Sequence, residues 1–147
     1  MAMIRRIVCP TDFSATAARA VEYAAEMARS FGAELILLHV IPEMNYPLRS
    51  FGMVTSFPHL HEELHERAGA ELERVRAKAS AGITARSELR NGEVAAQILE
   101  CAKAQDADLI IMGTHGHKGI VHALLGSTAE RVVRLSECPV LTLRTKD

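Results

Sequence analysis

Asp108-Leu109-Ile110-Ile111-Met112-Gly113-Thr114-His115-Gly116 is the stretch that decides the fold. Its first half is an apolar run, the pattern of a strand covered on both faces. Its second half is a glycine-punctuated exit, followed after nine residues by Gly126-Ser127-Thr128-Ala129-Glu130. Ala129, Val132 and Val133 then read as one face of a helix. Glycines let the main chain approach an anion closely. A helix start offers unpaired N–H groups and the positive end of a dipole. Strand, glycine loop, hydroxyl pair and helix start, in that order, make a phosphate-binding site.

Working outward, the same alternation recurs. Ile4 to Cys9 reads as a strand, Pro10-Thr11-Asp12-Phe13 as a turn, and Ser14 as the N-cap of a helix. Val21, Ala24, Ala25, Ala28 and Phe31 follow at helical spacing, and Gly32 ends the helix. Glu34 to Ile41 is a second apolar strand. Pro42 to Pro58 has three prolines and one glycine and reads as a long loop, of the kind that serves as a lid. Leu60 to Ala81 is helical, with Leu64, Ala68, Leu72 and Val75 on one face and Gly82 closing it. Ile83 to Arg90 is a weaker strand suited to a sheet edge, and Asn91-Gly92 turns into a helix bearing Ala95, Ile98, Leu99 and Ala102. After the strand at 109–112 come a helix from Ser127 to Leu135 and a last strand from Pro139 to Arg144.

The sum is an α/β chain, read as one doubly wound domain over residues 1–147. The expected architecture is a five-stranded parallel sheet with helices on both faces. The first and fourth strands carry the most distinctive exits. If they are neighbours where the strand order reverses, the order is 3-2-1-4-5 and both exits meet over one crevice.

Composition narrows the function. The chain has 147 residues, 48% of them hydrophobic, 24% charged and 4% aromatic, with a net charge of −1 and no Trp. No basic block points to nucleic acid. No apolar run approaches the ~20 residues of a membrane span. The charged N-terminal stretch Met1-Ala-Met-Ile-Arg-Arg-Ile7 lacks the apolar centre of a secretion signal, so the expected compartment is the cytoplasm. Cys9, Cys101 and Cys138 are far apart, without metal spacing, and read as buried small hydrophobes.

The loop after Met112 is neither a Walker A loop nor a dinucleotide fingerprint, since it lacks Gly-Lys-Ser/Thr and its glycine spacing is Gly-x-x-Gly. Gly113-x2-Gly116-x9-Gly126-Ser127 instead resembles the motif of nucleotide-binding members of the universal stress protein family. The resemblance runs the length of the chain. It includes Pro10-Thr11-Asp12-x-Ser14 after the first strand, His39-Val40 at the end of the second, and Cys138-Pro139-Val140 before the last.

The resemblance implies an ATP site. Thr11 and Asp12 would sit beside the nucleoside, with Asp12 near the ribose. The backbone of Val40 would hold the adenine edge, and Met112 and Gly113 would line the ribose end. Gly116, His117, Gly126, Ser127 and Thr128 would surround the phosphates. Mg²⁺ beside the phosphates is compatible with Asp12, though no motif requires it. The departure is His117, followed by Lys118, where the family often carries Arg. A neutral His supplies less charge to a phosphate. Read singly, the same residues have plain structural roles. Gly113 and Gly126 are then turn glycines at positive φ, Ser127-x-x-Glu130 is a capping box, and Asp12 is a pre-helix acid.

His61-Glu62-Glu63-Leu64-His65 matches the zinc-protease pattern H-E-x-x-H, with His59 nearby. Ala68 and Glu71 stand where a metzincin would continue with Gly and His, so a solvated helix edge is the preferred reading over a zinc-dependent hydrolase. The sequence therefore points to a nucleotide-dependent regulatory module of the stress-response type, with no catalytic residue assigned. A slow ATP hydrolase is the alternative. The free edge of the last strand is a liability in a monomer. The resemblance implies that Val140, Leu141 and Leu143 pair it across a homodimer.

Overall fold

The strand order is β3-β2-β1-β4-β5 in one five-stranded sheet, and every neighbouring pair is parallel. The computed structural model describes residues 3–43, 58–115 and 125–144. In chain order the elements are β1 (Arg6–Pro10), α1 (Ala15–Phe31), β2 (Glu34–Pro42), α2 (Pro58–Ala79), β3 (Ala85–Gly92), α3 (Val94–Ala104), β4 (Leu109–Gly113), α4 (Ser127–Leu135) and β5 (Val140–Leu143). The expected order 3-2-1-4-5 and the helices on both faces are both observed.

Side-chain alternation along the strands builds two cores, one on each face of the sheet. Ile7, Cys9, Leu35, Leu37, Leu109 and Ile111 face α1 and α2. Val8, Ile36, Leu38, Val40, Ile110 and Met112 face α3 and α4. The apolar runs at 35–38 in β2 and 109–112 in β4 follow from this, because both of their faces are covered. α1 meets the sheet through Ala17, Ala20, Ala24, Ala25 and Ala28, with Val21 among them. Small residues let the helix lie close. Burying each large aliphatic side chain of the strands stabilises the fold by about 1.5–3 kcal/mol.

Helix ends match local chemistry. Ser14 accepts from the Ala17 N–H at the start of α1, and Gly32 (φ +67) closes it by donating to Ala28 O. Glu93, unmarked in the sequence reading, caps α3 by accepting from the N–H groups of Ala95 and Ala96.

Four expectations are corrected. Asn91 and Gly92 are not a turn; they extend β3 and pair with Ile41 and Pro42. Gly92 has φ +136 and lets the strand run straight into the cap of α3. The first strand begins at Arg6 rather than Ile4. Phe31 and Val133 do not belong to buried helix faces, with exposures of 46% and 45%. Phe31 is the last residue of α1, and Val133 lies on the flank of α4 turned away from the buried pair Ala129 and Val132. The Pro42–Pro58 loop lies largely outside the described residues.

Candidate functional site

β1 and β4 are neighbours with Ile7 opposite Leu109 and Val8 opposite Ile110, so their carboxyl ends open side by side where the strand order reverses. Thr11, Asp12, Val40, Met112, Gly113, Gly126, Ser127 and Thr128 come from the elements around this crevice. Gly116 and His117 lie outside the described residues, as do Lys118 and His122.

The β1 exit is a tight, self-satisfied turn. The Thr11 N–H donates to Leu38 O at 2.8 Å, which carries the β1–β2 ladder one step past the strand. Thr11 Oγ1 accepts from the Phe13 N–H at 3.1 Å, and Asp12 Oδ1 accepts from the Ser14 N–H at 3.0 Å. Asp12 thus performs the structural role open to it, as an Asx turn, with its side chain partly exposed. Phe13 has φ +66. A non-glycine residue held there costs about 1–2 kcal/mol and persists only where its surroundings fix it. The Phe13 ring packs on His39 with centroids 4.4 Å apart, and His39 Nδ1 reaches the Thr11 carbonyl at 2.7 Å.

The β4 exit is clasped shut. The Thr114 N–H donates to Leu143 O of β5 at 2.9 Å, and the Thr114 carbonyl accepts from the Gly126 N–H at 2.7 Å. The loop therefore leaves and returns at one point, bringing the start of α4 to the end of β4. Thr114 is only 3% exposed. Gly126 permits this clasp: a Cβ there would stand 2.8 Å from Thr114 O. Gly113 is needed for a different reason, since its Cβ would lie 2.7 Å from Thr16 Cγ2. Positive φ does not explain Gly126, whose φ is −69, and Gly113 is not among the positive-φ residues. Both glycines serve close approach.

Ser127 is not a cap. Gly126 is the N-cap of α4, without a side-chain hydrogen bond, and Ser127 is the first helical residue with its side chain exposed. The capping-box partner Glu130 is bound instead to Arg134 Nε at 3.0 Å. The two helix starts thus differ. α1 is closed by Ser14, whereas the N-cap of α4, Gly126, makes no side-chain hydrogen bond among the described residues. An open helix start beside a strand exit is where an anion is favoured.

Val40 and Met112 are both buried on the α3–α4 face, so what they offer the crevice is main chain rather than side chain. His39, Thr114 and Thr16 were not singled out for the site. The legible signal was His39 itself, a polar residue inside an otherwise apolar strand.

The remaining candidates stand apart. His61 and His65 are ring neighbours on α2, with centroids 6.1 Å apart. His61 and Glu62 are exposed and His65 is half-buried. Among the described residues no group of three or more His, Cys, Asp or Glu gathers to hold a metal. Cys9 and Cys101 are buried as expected, and Cys138 is half-buried. Cys101 Sγ donates to Glu88 Oε2 at 2.7 Å. Burial raises the Glu88 carboxyl, but its bonds from Cys101, Arg90 and Gln105, with the Arg90 charge, outweigh that and leave it below the ordinary value. No helix among the described residues is long and apolar enough to cross a membrane.

Comparison with known proteins gives one answer. The sequence model of the universal stress protein family matches residues 3–144. Universal stress protein MJ0531 of Methanocaldococcus jannaschii is 34% identical over 146 residues, covering 97% of this chain and 83% of the relative. The solved structure of MJ0577 from the same organism superposes with a TM-score of 0.81 at 33% identity, over 99% of each chain. A universal stress protein from Archaeoglobus fulgidus, solved in complex with dAMP, shares the fold at 22% identity with a TM-score of 0.67, over 97% of this chain and 98% of that one. The sheet order, the β1 and β4 exits and these matches agree: the chain belongs to the universal stress protein family.

Proposed function

We propose that this chain binds ATP in the crevice between the β1 and β4 exits and acts as a nucleotide-dependent regulatory module. The observation that carries the reading is the clasp of Thr114 to Gly126, which sets an uncapped helix start at the switch point of the sheet. Phosphate oxygens would take the first-turn N–H groups of Ser127 and Thr128 and the loop residues Gly116 and His117, beside Gly126, whose own N–H is held by Thr114 O and which leaves room by lacking a side chain. The ribose would lie by Thr11, Asp12, Met112 and Gly113, and the base by the main chain of Val40. That a relative with this fold was solved with an adenine nucleotide supports the reading. With no cluster of acids at hand among the described residues, a Mg²⁺ ion would be held chiefly by phosphate oxygens and water.

Hydrogen bonds to a charged phosphate contribute about 1.5–3 kcal/mol each. Several of them, less the cost of immobilising the ligand, support binding of about −8 kcal/mol, which is micromolar. Among the described residues the site offers mainly main chain and no evident general base, so ATP turnover well below about one per second is expected.

Titration calorimetry of the purified chain with ATP, ADP and AMP tests the reading. Micromolar ATP binding that weakens as phosphates are removed supports it. No heat at millimolar adenylate overturns it. The open edge of β5, with Val140, Leu141 and Leu143, is the proposed homodimer contact.

A further inference from the structure

His39 interrupts the apolar run of β2, and its Nδ1 lies 2.7 Å from the Thr11 carbonyl. A carbonyl only accepts, so Nδ1 carries the proton. The consequence lies in the ladder. The Glu34 N–H donates to Arg5 O, and the Thr11 N–H donates to Leu38 O. In this parallel register the even-numbered residues of β2 turn their amides toward β1. The next main-chain bond would run from the Val40 N–H to the Thr11 carbonyl. That bond is not formed; the carbonyl takes the His39 ring. Phe13, held at φ +66, packs its ring on His39 from the turn and keeps the imidazole in place.

We infer that His39 is a positioning residue for base recognition: by occupying the Thr11 carbonyl, its ring keeps the Val40 N–H out of the sheet and available to a hydrogen-bond acceptor on a bound base. The inference rests on the proposed nucleotide site for the identity of the ligand. The competition between ring and amide belongs to the protein alone. An amide left unpaired at a strand end is costly when nothing binds there, so its sparing is a feature of a site rather than of a stable sheet.

The experiment is nuclear magnetic resonance on the full chain, with titration calorimetry on the same samples. The native protein without nucleotide shows no through-hydrogen-bond coupling between the Val40 nitrogen and the Thr11 carbonyl carbon. In His39→Leu that coupling appears, exchange of the Val40 amide slows, and ATP affinity falls about tenfold. His39→Asn places a side-chain N–H where Nδ1 stood and restores both properties, which a merely space-filling role would not do. A Val40–Thr11 coupling in the native chain overturns the inference, as does unchanged ATP affinity in His39→Leu. If the coupling follows His39 but no variant, native included, binds ATP, the nucleotide reading fails and the ladder competition stands. Should His39→Leu not fold, the native chain decides. Absence of the coupling, with a shifted Val40 amide on saturation with ATP, sustains the inference; a present coupling or an unmoved amide sinks it.

Discussion

The β-carbon that Gly113 lacks would stand 2.7 Å from Cγ2 of Thr16, where β4 ends against the first turn of α1. Neither partner yields easily, because the Thr side chain is branched and sits on a helix. Gly113→Ala is expected to destabilise by about 1–3 kcal/mol through overpacking. Thr16→Ala removes the obstructing methyl, so the double variant should recover most of that loss. Urea unfolding of both singles and the double measures the coupling. Strict additivity would show that the contact does not limit the site. Gly126→Ala should be harder to rescue, since its obstacle is the main-chain oxygen of Thr114 at 2.8 Å.

Because Ser127 is exposed and does not cap α4, it can be changed without breaking a helix. Ser127→Asp puts a carboxylate in the first turn, which the helix dipole favours by about 0.3–1 kcal/mol. The same charge repels a phosphate. Stability should rise slightly while ATP affinity drops about tenfold, with a smaller drop for AMP. Unchanged ATP binding would place the phosphates elsewhere.

Pairing across a second copy can be tested at Thr142. The Ile110 N–H donates to Pro139 O and the Thr114 N–H to Leu143 O. With Ile110 opposite Val140, the amides of Val140 and Thr142 therefore turn to the open edge. Thr142→Pro removes an outward donor and leaves the β4–β5 ladder intact. A monomer by light scattering, from a dimeric parent, is the expected result. Leu141→Pro is the wrong probe, because its amide serves β4.

Two thiols impose a pH dependence. Burial pushes Cys9 from 9.0 up to about 12. Burial first, and then its bond to Glu88, does the same for Cys101, also to about 12. Above pH 9.0 the unfolded chain loses these protons while the folded chain keeps them. Their contribution is therefore complete below that pH and is lost as pH rises toward about 12. Unfolding free energy should fall through this window, and the fall should be shallower in Cys9→Ala. Parallel pH profiles for the two proteins would refute the assignment.

Glu93 accepts from two amides at the start of α3 and pairs with Arg131 Nη1 of α4 at 3.0 Å. Loss of such a cap costs about 0.5–2 kcal/mol. The surface ion pair adds little, about 0–1 kcal/mol. Glu93→Ala should lower the melting temperature, whereas Arg131→Ala should leave it nearly unchanged. Equal losses would mean that the ion pair, rather than the cap, matters.

Elements with a clear period were legible. The two-sided apolar runs at 35–38 and 109–112 and the strand–helix alternation led to the sheet order, and Gly32 and Ser14 marked the ends of α1. Asn91-Gly92 misled, because its turn chemistry gave way to pairing with Ile41 and Pro42. Ser127-x-x-Glu130 misled in a similar way: Glu130 is bound to Arg134 rather than turned back to the helix start. Phe31 and Val133 matched a helical period, but period alone does not say how wide or how long a covered face is: Val132 is buried and its neighbour Val133 is not. The His39–Thr11 bond was out of reach, since it joins residues 28 positions apart and depends on the end of a ladder. The reasons for Gly113 and Gly126 were likewise tertiary. The atoms that forbid a side chain at the two positions belong to Thr16 and Thr114, which lie far away in sequence or across the loop.

β1 is joined unequally to its two neighbours. It runs beside β2 from Arg6 to Pro10, yet registers with β4 only at Ile7 and Val8. The molecule is in effect two planks, β3-β2-β1 and β4-β5, meeting along a short hinge line. The crevice sits on that line. A guest lodged there would tie the planks together at their open end, adding to the short seam and to α1, which packs across both of them from one face.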